Sequence, residues 1–312
     1  MIDWTDRHYR YFMRLISKRT RLYTEMITTG ALLYGDAPRF LSFHSVEHPV
    51  ALQLGGCDPK ALAQCAQLAE EYGYAEVNLN VGCPSDRVQA GKFGACLMAE
   101  PNLVADCIAA MREACSLPVT VKSRIGIDKQ DNYEFLEKFI DTVALAGCEQ
   151  FIIHARKAWL KGLSPKQNRE IPPLSYDTVY QIKRDFPGLV IIINGGITTL
   201  EQTTQQLEIV DGVMLGRAAY YNPYLFANVD QQFFNETTEV LTRENIVEQM
   251  LIYIDAELTK GTKMHAITRH MLHLYNGEPG AKNWRRTLSY AALQSPAEGI
   301  RVILDLIQCH PR

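Results

Sequence analysis

Cys83 ends a short alternating run, Glu76-Val-Asn-Leu-Asn-Val-Gly-Cys-Pro-Ser85. Val77, Leu79 and Val81 alternate with Asn78, Asn80 and Gly82, which is the period-two pattern of a strand. Pro84 stops the run, because its ring removes a backbone donor and fixes φ. The thiol is therefore expected at the carboxyl end of a strand, where α/β proteins build their active sites. The neighbouring amides need hydrogen-bond partners, and a planar polar ligand supplies them. A lone buried cysteine is ordinarily structural, so the chemical reading rests on what converges with it.

Gln53, Lys122 and His154 fall at or near the ends of other strand-like runs, in Leu52-Gln-Leu-Gly-Gly, Thr120-Val-Lys-Ser-Arg and Ile153-His-Ala-Arg. Lys122 in an apolar run needs an anion, because an unpaired buried ammonium is costly. The structural alternative is an ion pair with Glu25 or another acid. Asn194-Gly195-Gly196-Ile and Leu215-Gly216-Arg217-Ala close the last two runs. Glycines at such ends expose backbone N–H groups to a phosphate, and Arg217 adds a charge-assisted contact. Together these residues fit flavin mononucleotide (FMN): an amide bonds its pyrimidine edge, and a lysine stabilises the anionic reduced ring.

The elements that must position these residues alternate along the chain. Strand-like runs at 22–28, 49–54, 76–81, 118–124, 150–155, 189–194 and 212–216 are separated by helical segments. Asp58-Pro59 reads as an N-cap followed by proline at N1, and Leu103, Cys107, Ala110, Met111 and Ala114 mark one helical face. Such alternation gives a parallel sheet. No G-x-G-x-x-G follows an early strand, and the polar residues end many different strands. A (β/α)8 TIM barrel is therefore expected over 1–232, with its first strand missing from the chain. From 233 to 312 the pattern becomes helical, with a stripe at Ile246, Met250, Ile254 and Leu258 and later helices at 267–275 and 297–307. This portion is expected to be a small all-helical domain.

The 312 residues, 47% hydrophobic and 21% charged, are those of an ordinary globular enzyme. A net charge of -3 excludes an all-over basic coat, so a nucleic-acid partner must meet a local patch. No run approaches a membrane span and no signal peptide opens the chain. The eight cysteines form no C-x-x-C pair, which disfavours a metal site and suits free thiols in a cytoplasm.

The strings Asn78-Leu-Asn-Val-Gly-Cys-Pro-Ser-Asp-Arg-Val-Gln, Gly94-Ala-Cys-Leu, Leu52-Gln-Leu-Gly-Gly, His154-Ala-Arg, Asn168-Arg-Glu-Ile-Pro-Pro and Asn194-Gly-Gly-Ile resemble those of the tRNA-dihydrouridine synthases, the bacterial A-type most closely. Ile267-Thr-Arg-His-Met-Leu and Asn283-Trp-Arg-Arg-Thr-Leu-Ser extend the likeness to nearly the whole chain. The resemblance implies an FMN barrel with a helical tRNA-binding domain, reducing a D-loop uridine, at positions 20 and 20a, with NADPH as electron source. It makes Cys83 the proton donor and gives FMN to Gln53, Lys122, His154, Asn194, Gly195, Gly196, Gly216 and Arg217. Asn80, Lys166, Arg169, Lys282 and Arg285 would face tRNA.

The chemistry is coherent in its own terms. Reduction of the uracil C5–C6 bond needs a hydride at C6 and a proton at C5, and a thiol with a pKa near ~8.5 still carries a proton at neutral pH. Cys96 is the rival thiol and is expected to be structural. In the helical domain, Lys260, Lys263, Arg269 and Arg286, with His265, His270 and His273, are further candidates for RNA, whereas Trp284 is expected to pack in a core rather than stack on a base.

Met1-Ile-Asp-Trp-Thr-Asp resembles the family segment just after the first barrel strand, where a Pro-Met pair touches flavin. By that likeness Met1 and Ile2 are cofactor contacts, while the strand and proline before them are absent. A start codon placed too late, or a trimmed chain, is the expected cause, with two unpaired sheet edges and a weakened flavin wall. A monomer is expected. Two other readings stay open: an FMN barrel acting on a free pyrimidine, and a tRNA-binding module that aids folding with little turnover.

Overall fold

The computed structural model describes residues 1–308. By its contacts the chain divides into two compact units. The first holds Met1, Tyr23–Phe43 and Pro49–Gly216. The second holds Ile2–Leu22, His44–His48 and the described residues from Arg217 on. The helical unit thus gathers segments outside the 233–312 span expected for it.

The first unit is built on a curled sheet of seven strands. They are β1 (Leu22–Thr28), β2 (Val50–Gly55), β3 (Glu76–Val81), β4 (Val119–Arg124), β5 (Gln150–His154), β6 (Val190–Asn194) and β7 (Gly212–Met214). Each strand neighbours the next in chain order, and the ladders from β2 to β7 are parallel. Helices follow the strands, as a right-handed crossover arrangement requires. Asp58 caps the helix Pro59–Glu71 by accepting from Lys60 N at 2.9 Å, with Pro59 in the first turn. In the helix Pro101–Ala114 the buried stripe is Val104, Cys107, Ile108 and Met111. That stripe is rotated from the expected face: Leu103, Ala110 and Ala114 lie at its border. Outward-facing Val77, Leu79, Val81 and Val121 join Phe139, Ile140 and Leu62 in one buried core. Each such side chain contributes about 1.5–3 kcal/mol on burial.

The second unit packs the helices Arg7–Ile16, Arg243–Thr259, Met264–Thr268, Ala281–Ala291 and Pro296–Gln308 around Trp284, Phe12, Met250, Ile254, Leu288 and Ile303. Two expectations need correction here. The helix read at 267–275 is instead a short helix, Met264–Thr268, followed by a 3-10 turn, Arg269–Met271. The Met271 carbonyl, which a continuing helix needs, accepts the Trp284 indole N–H at 2.8 Å and the Leu274 N–H at 3.1 Å. The helix Arg7–Ile16 was not anticipated, because its buried face carries charge. Arg10 Nε pairs with Glu47 at 2.8 Å, both nearly inaccessible, and Arg14 donates to the Glu47 carbonyl at 3.1 Å. Cys309, the last of the eight cysteines, lies outside the described residues.

Candidate active site

The parallel register sorts the polar residues onto one face of the sheet. Gln53 pairs with Asn78 and Asn78 with Thr120; Asn80 pairs with Lys122. Arg124 pairs with His154 and His154 with Asn194. Cross-strand partners share a face, and so do residues two apart on a strand. Gln53, Asn78, Asn80, Thr120, Lys122, Arg124, His154 and Asn194 therefore line one surface, while the apolar residues between them face the helices.

Cys83 follows β3 in a turn that Asn80 holds. The Asn80 side-chain oxygen accepts from Gly82 N at 3.1 Å and Cys83 N at 2.9 Å, an Asx-type turn. Cys83 is partly exposed, and its thiol has Ser85 Oγ 3.7 Å away. The Cys83 carbonyl accepts from Ala95 N at 2.9 Å, drawing the Gly94-Ala-Cys-Leu string against the turn. Only glycine fits there: Gly94 has φ +75°, and a Cβ would meet the Cys83 carbonyl oxygen at 2.5 Å. Cys96 donates within its own turn, to Phe93 O at 3.1 Å, and burial raises its thiol pKa.

Lys122 donates to Asn194 Oδ1 at 3.1 Å, and Asn194 in turn donates to the Met214 carbonyl at 2.7 Å. Among the described residues no carboxylate pairs with Lys122, so the expected alternative of an ion pair with Glu25 is replaced by an amide contact. Burial, reinforced by the neighbouring Arg124 charge, lowers Lys122 to about 8. His154 is held well below its ordinary value by burial, and then by the charges of Arg124, Lys122, Arg156 and Arg169. Positive charge from Lys122, Arg124, Arg156 and Arg169 thus gathers around this face.

Gly195 and Gly196 have φ of +116° and +75°. A Cβ on Gly195 would stand 2.6 Å from the His154 ring, and one on Gly196 2.5 Å from Leu174. Tyr176 OH fixes the turn by donating to the Gly195 carbonyl at 2.7 Å. Gly216 is open, its nearest neighbour being Met1 Sδ at 3.8 Å from a built Cβ. Met1 and Gly216 belong to the strand unit, whereas Ile2 and Arg217 begin segments of the helical one.

The loop after β5 carries Lys161, Lys166 and Arg169 on its surface. Asn168, fully buried, pins it: its side chain donates to Trp159 O at 2.9 Å and Leu163 O at 3.1 Å, and accepts from Trp159 N at 2.8 Å. Arg124 ties this loop to the cysteine turn, through Nε to Gly82 O at 3.1 Å and Nη1 to Asn168 O at 2.9 Å. Sequence reasoning did not single out Arg124, although it stands two residues beyond Lys122 and therefore on the same face.

In the helical unit Lys282 is exposed and Arg285 half-buried on the helix Ala281–Ala291. Trp284, between them, is fully buried, as expected of a core residue. Not every expected RNA-facing group is available. His270 is buried, its Nε2 3.0 Å from Asp6, and Arg269 pairs with the same carboxylate at 2.6 Å. Lys260 pairs with Glu257 at 2.9 Å while keeping most of its side chain exposed.

A family model described as dihydrouridine synthase (Dus) matches residues 1–307. The chain is 62% identical over 303 residues to the tRNA-dihydrouridine(20/20a) synthase of Shewanella oneidensis, covering 97% of this chain and 90% of the relative. It is 60% identical to the protein of the same description from Vibrio cholerae over 97% of this chain and 92% of the relative. It is also 60% identical to that of Escherichia coli, over 96% and 86%. Among solved structures, morphinone reductase superposes with a TM-score of 0.51 at 12% identity, covering 73% of this chain and 81% of the other, a likeness of fold.

Proposed function

We propose that this chain, which belongs to the dihydrouridine synthase family, reduces uridines of tRNA at positions 20 and 20a to 5,6-dihydrouridine, with Cys83 as the proton donor. The observation that carries the reading is the cationic inner face around Lys122, with no carboxylate on that lysine among the described residues. That face fits an anionic, planar, amide-bearing group such as FMN, and Gly195 and Gly196 leave backbone room where a phosphate would lie. Gln53, Lys122, His154, Asn194, Gly195, Gly196 and Gly216, with Arg217 next to it in the chain, would hold FMN. Bound there, reduced FMN supplies the hydride that C6 of the uracil receives.

Cys83 does the complementary work: its S–H bond breaks as the proton passes to C5, and the thiolate regains a proton from solvent. A thiol suits this step because, unlike a carboxylate, it ordinarily keeps its proton at neutral pH. Asn80 holds the Cys83 turn by its oxygen and keeps one N–H for the substrate base. Lys166 and Arg169 contact tRNA phosphates from the strand unit, and Lys282 and Arg285 do so from the helical unit. Such contacts offset the cost of unstacking the uridine. NADPH is the electron donor.

The test is dihydrouridine formation, read by mass spectrometry, on unmodified tRNA transcripts with NADPH. We expect product at positions 20 and 20a, and a flavin absorption spectrum in the purified chain. Cys83→Ala should keep the spectrum and lose turnover by at least about a hundredfold, whereas Cys96→Ala should keep most activity. No flavin and no product, or equal loss in both variants, contradicts the assignment.

A further inference from the structure

A buried carboxylate lies at the far end of the network that holds the cysteine turn. Glu76 opens β3, fully inaccessible, on the same face as Asn78 and Asn80. Thr120 Oγ1 donates to Glu76 Oε1 at 2.6 Å, and Asn78 Nδ2 donates to Thr120 Oγ1 at 2.8 Å. Gln53 Nε2 then donates to Asn78 Oδ1 at 2.9 Å, and Asn80 Nδ2 to Gln53 Oε1 at 2.9 Å. The last oxygen, Asn80 Oδ1, receives the Gly82 and Cys83 N–H groups. Five side chains from β2, β3 and β4 thus form one file of donors and acceptors, all pointing the same way.

The direction of this file is decided at its ends. Backbone N–H groups only donate, so Asn80 must turn its oxygen toward the cysteine turn. Its NH2 then meets Gln53 O, the Gln53 NH2 meets Asn78 O, and the Asn78 NH2 meets the Thr120 oxygen. Thr120 is left with a single proton that needs an acceptor, and Glu76 Oε1 is the oxygen it meets. Tyr23 OH also donates to Glu76 Oε1, at 2.8 Å, so the same oxygen accepts from two hydroxyls. With Gln53 at 7% exposure and Asn78 and Glu76 at 0%, water offers little substitute for a missing link.

We propose that Glu76 is a positioning residue: acting through Thr120, Asn78 and Gln53, it fixes the orientation of the Asn80 amide and with it the Cys83 turn. The role needs an acceptor oxygen rather than a charge. This rests on the reading of Cys83 as proton donor, and it states which residue outside the ligand-facing set that donor depends on.

Four variants of the full chain test it. Glu76→Met and Thr120→Val remove the acceptor or cut the file, whereas Glu76→Gln and Thr120→Ser keep an oxygen at each place. Two quantities are read: steady-state kinetics on tRNA, and deuterium uptake at the Gly82 and Cys83 amides. The first pair should lose about tenfold in kcat with KM for tRNA within about twofold, and should raise uptake at those amides about tenfold. The second pair should restore both. Uptake unchanged in Thr120→Val, or losses that follow melting temperature in all four variants without rescue, overturns the proposal. Should Glu76→Met fail to fold, Thr120→Val against Thr120→Ser decides alone. Absence of turnover in the unsubstituted chain sinks only the functional reading, because the uptake arm still upholds or overturns the network.

Discussion

Lys122 is held in an environment that penalises its own charge. Burial, then Arg124, lowers it to about 8, and the amide of Asn194 is its only hydrogen-bond partner among the described residues. Because the folded value lies below that of a free lysine, the unfolded chain binds more protons between those values. Stability of the ligand-free protein should therefore rise with pH across that interval. Lys122→Met should raise stability at neutral pH by about 1 kcal/mol, checked by urea unfolding, while weakening flavin affinity at least about tenfold. Flavin affinity of the unsubstituted chain should decline as pH rises through about 8, and the methionine variant should lose that dependence. A titration of bound flavin against pH reads both. Cys83 and Lys122 were legible as chemical residues because each breaks the apolar pattern of its own run. Glu76 and Thr120 were not. A glutamate opening a strand and a threonine inside one look ordinary until the register sets them side by side.

At the scale of elements, the strand ends do the positioning, and glycine decides how closely chain can approach there. Gly195 turns at φ +116° beneath the His154 ring, so Gly195→Ala meets both a forbidden conformation and a collision at 2.6 Å. It should cost about 2–3 kcal/mol and displace His154. Gly162 provides the control, with φ +86° and open space around it: Gly162→Ala should cost only about 1 kcal/mol. Thermal melts with and without flavin separate the two, since only the first variant should also lose ligand. Strand positions were readable because period two is insensitive to neighbours; β1 and β3 fall at 22–28 and 76–81 as read. The helix Arg7–Ile16 escaped notice because Arg10 and Arg14 point inward, where a composition-based reading assigns them to solvent. Their partner, Glu47, comes from His44–His48, a separate segment of the same unit.

At the scale of the whole molecule, two groups near the amino end make the helical unit sensitive to acid. Burial lowers His8 to about 4, with Tyr253 OH 2.7 Å from Nδ1. Burial alone would raise Asp6, but His270, the Tyr9 N–H and Arg269 outweigh it and hold the carboxyl below its ordinary range. Both folded values lie below the unfolded ones, so each contribution is complete above the unfolded pKa and fades as pH falls toward the folded one. For His8 the window runs from 6.5 down to about 4, and for Asp6 it begins lower, at 3.8. Unfolding stability should drop by at most about 3 kcal/mol across the histidine window, and His8→Gln should flatten that part of the curve. Urea midpoints measured against pH, followed by tryptophan fluorescence, check it.

The sequence by itself determined the alternation of strands and helices, the cysteine at a strand end, and the glycine turns after the last two strands. These follow from local rules: side-chain period, the backbone limits of proline and glycine, and the cost of a charge in an apolar run. The tertiary structure alone decided which residues became neighbours. Parallel register placed Glu76, Thr120, Asn78, Gln53 and Asn80 in one file. Packing brought Arg124 against both the cysteine turn and the loop of Asn168, and the amino-terminal helix joined the carboxy-terminal ones around Trp284. Each is a meeting of residues far apart in the chain, and hydrogen-bond direction and buried charge acquire meaning only once the partner is fixed in space.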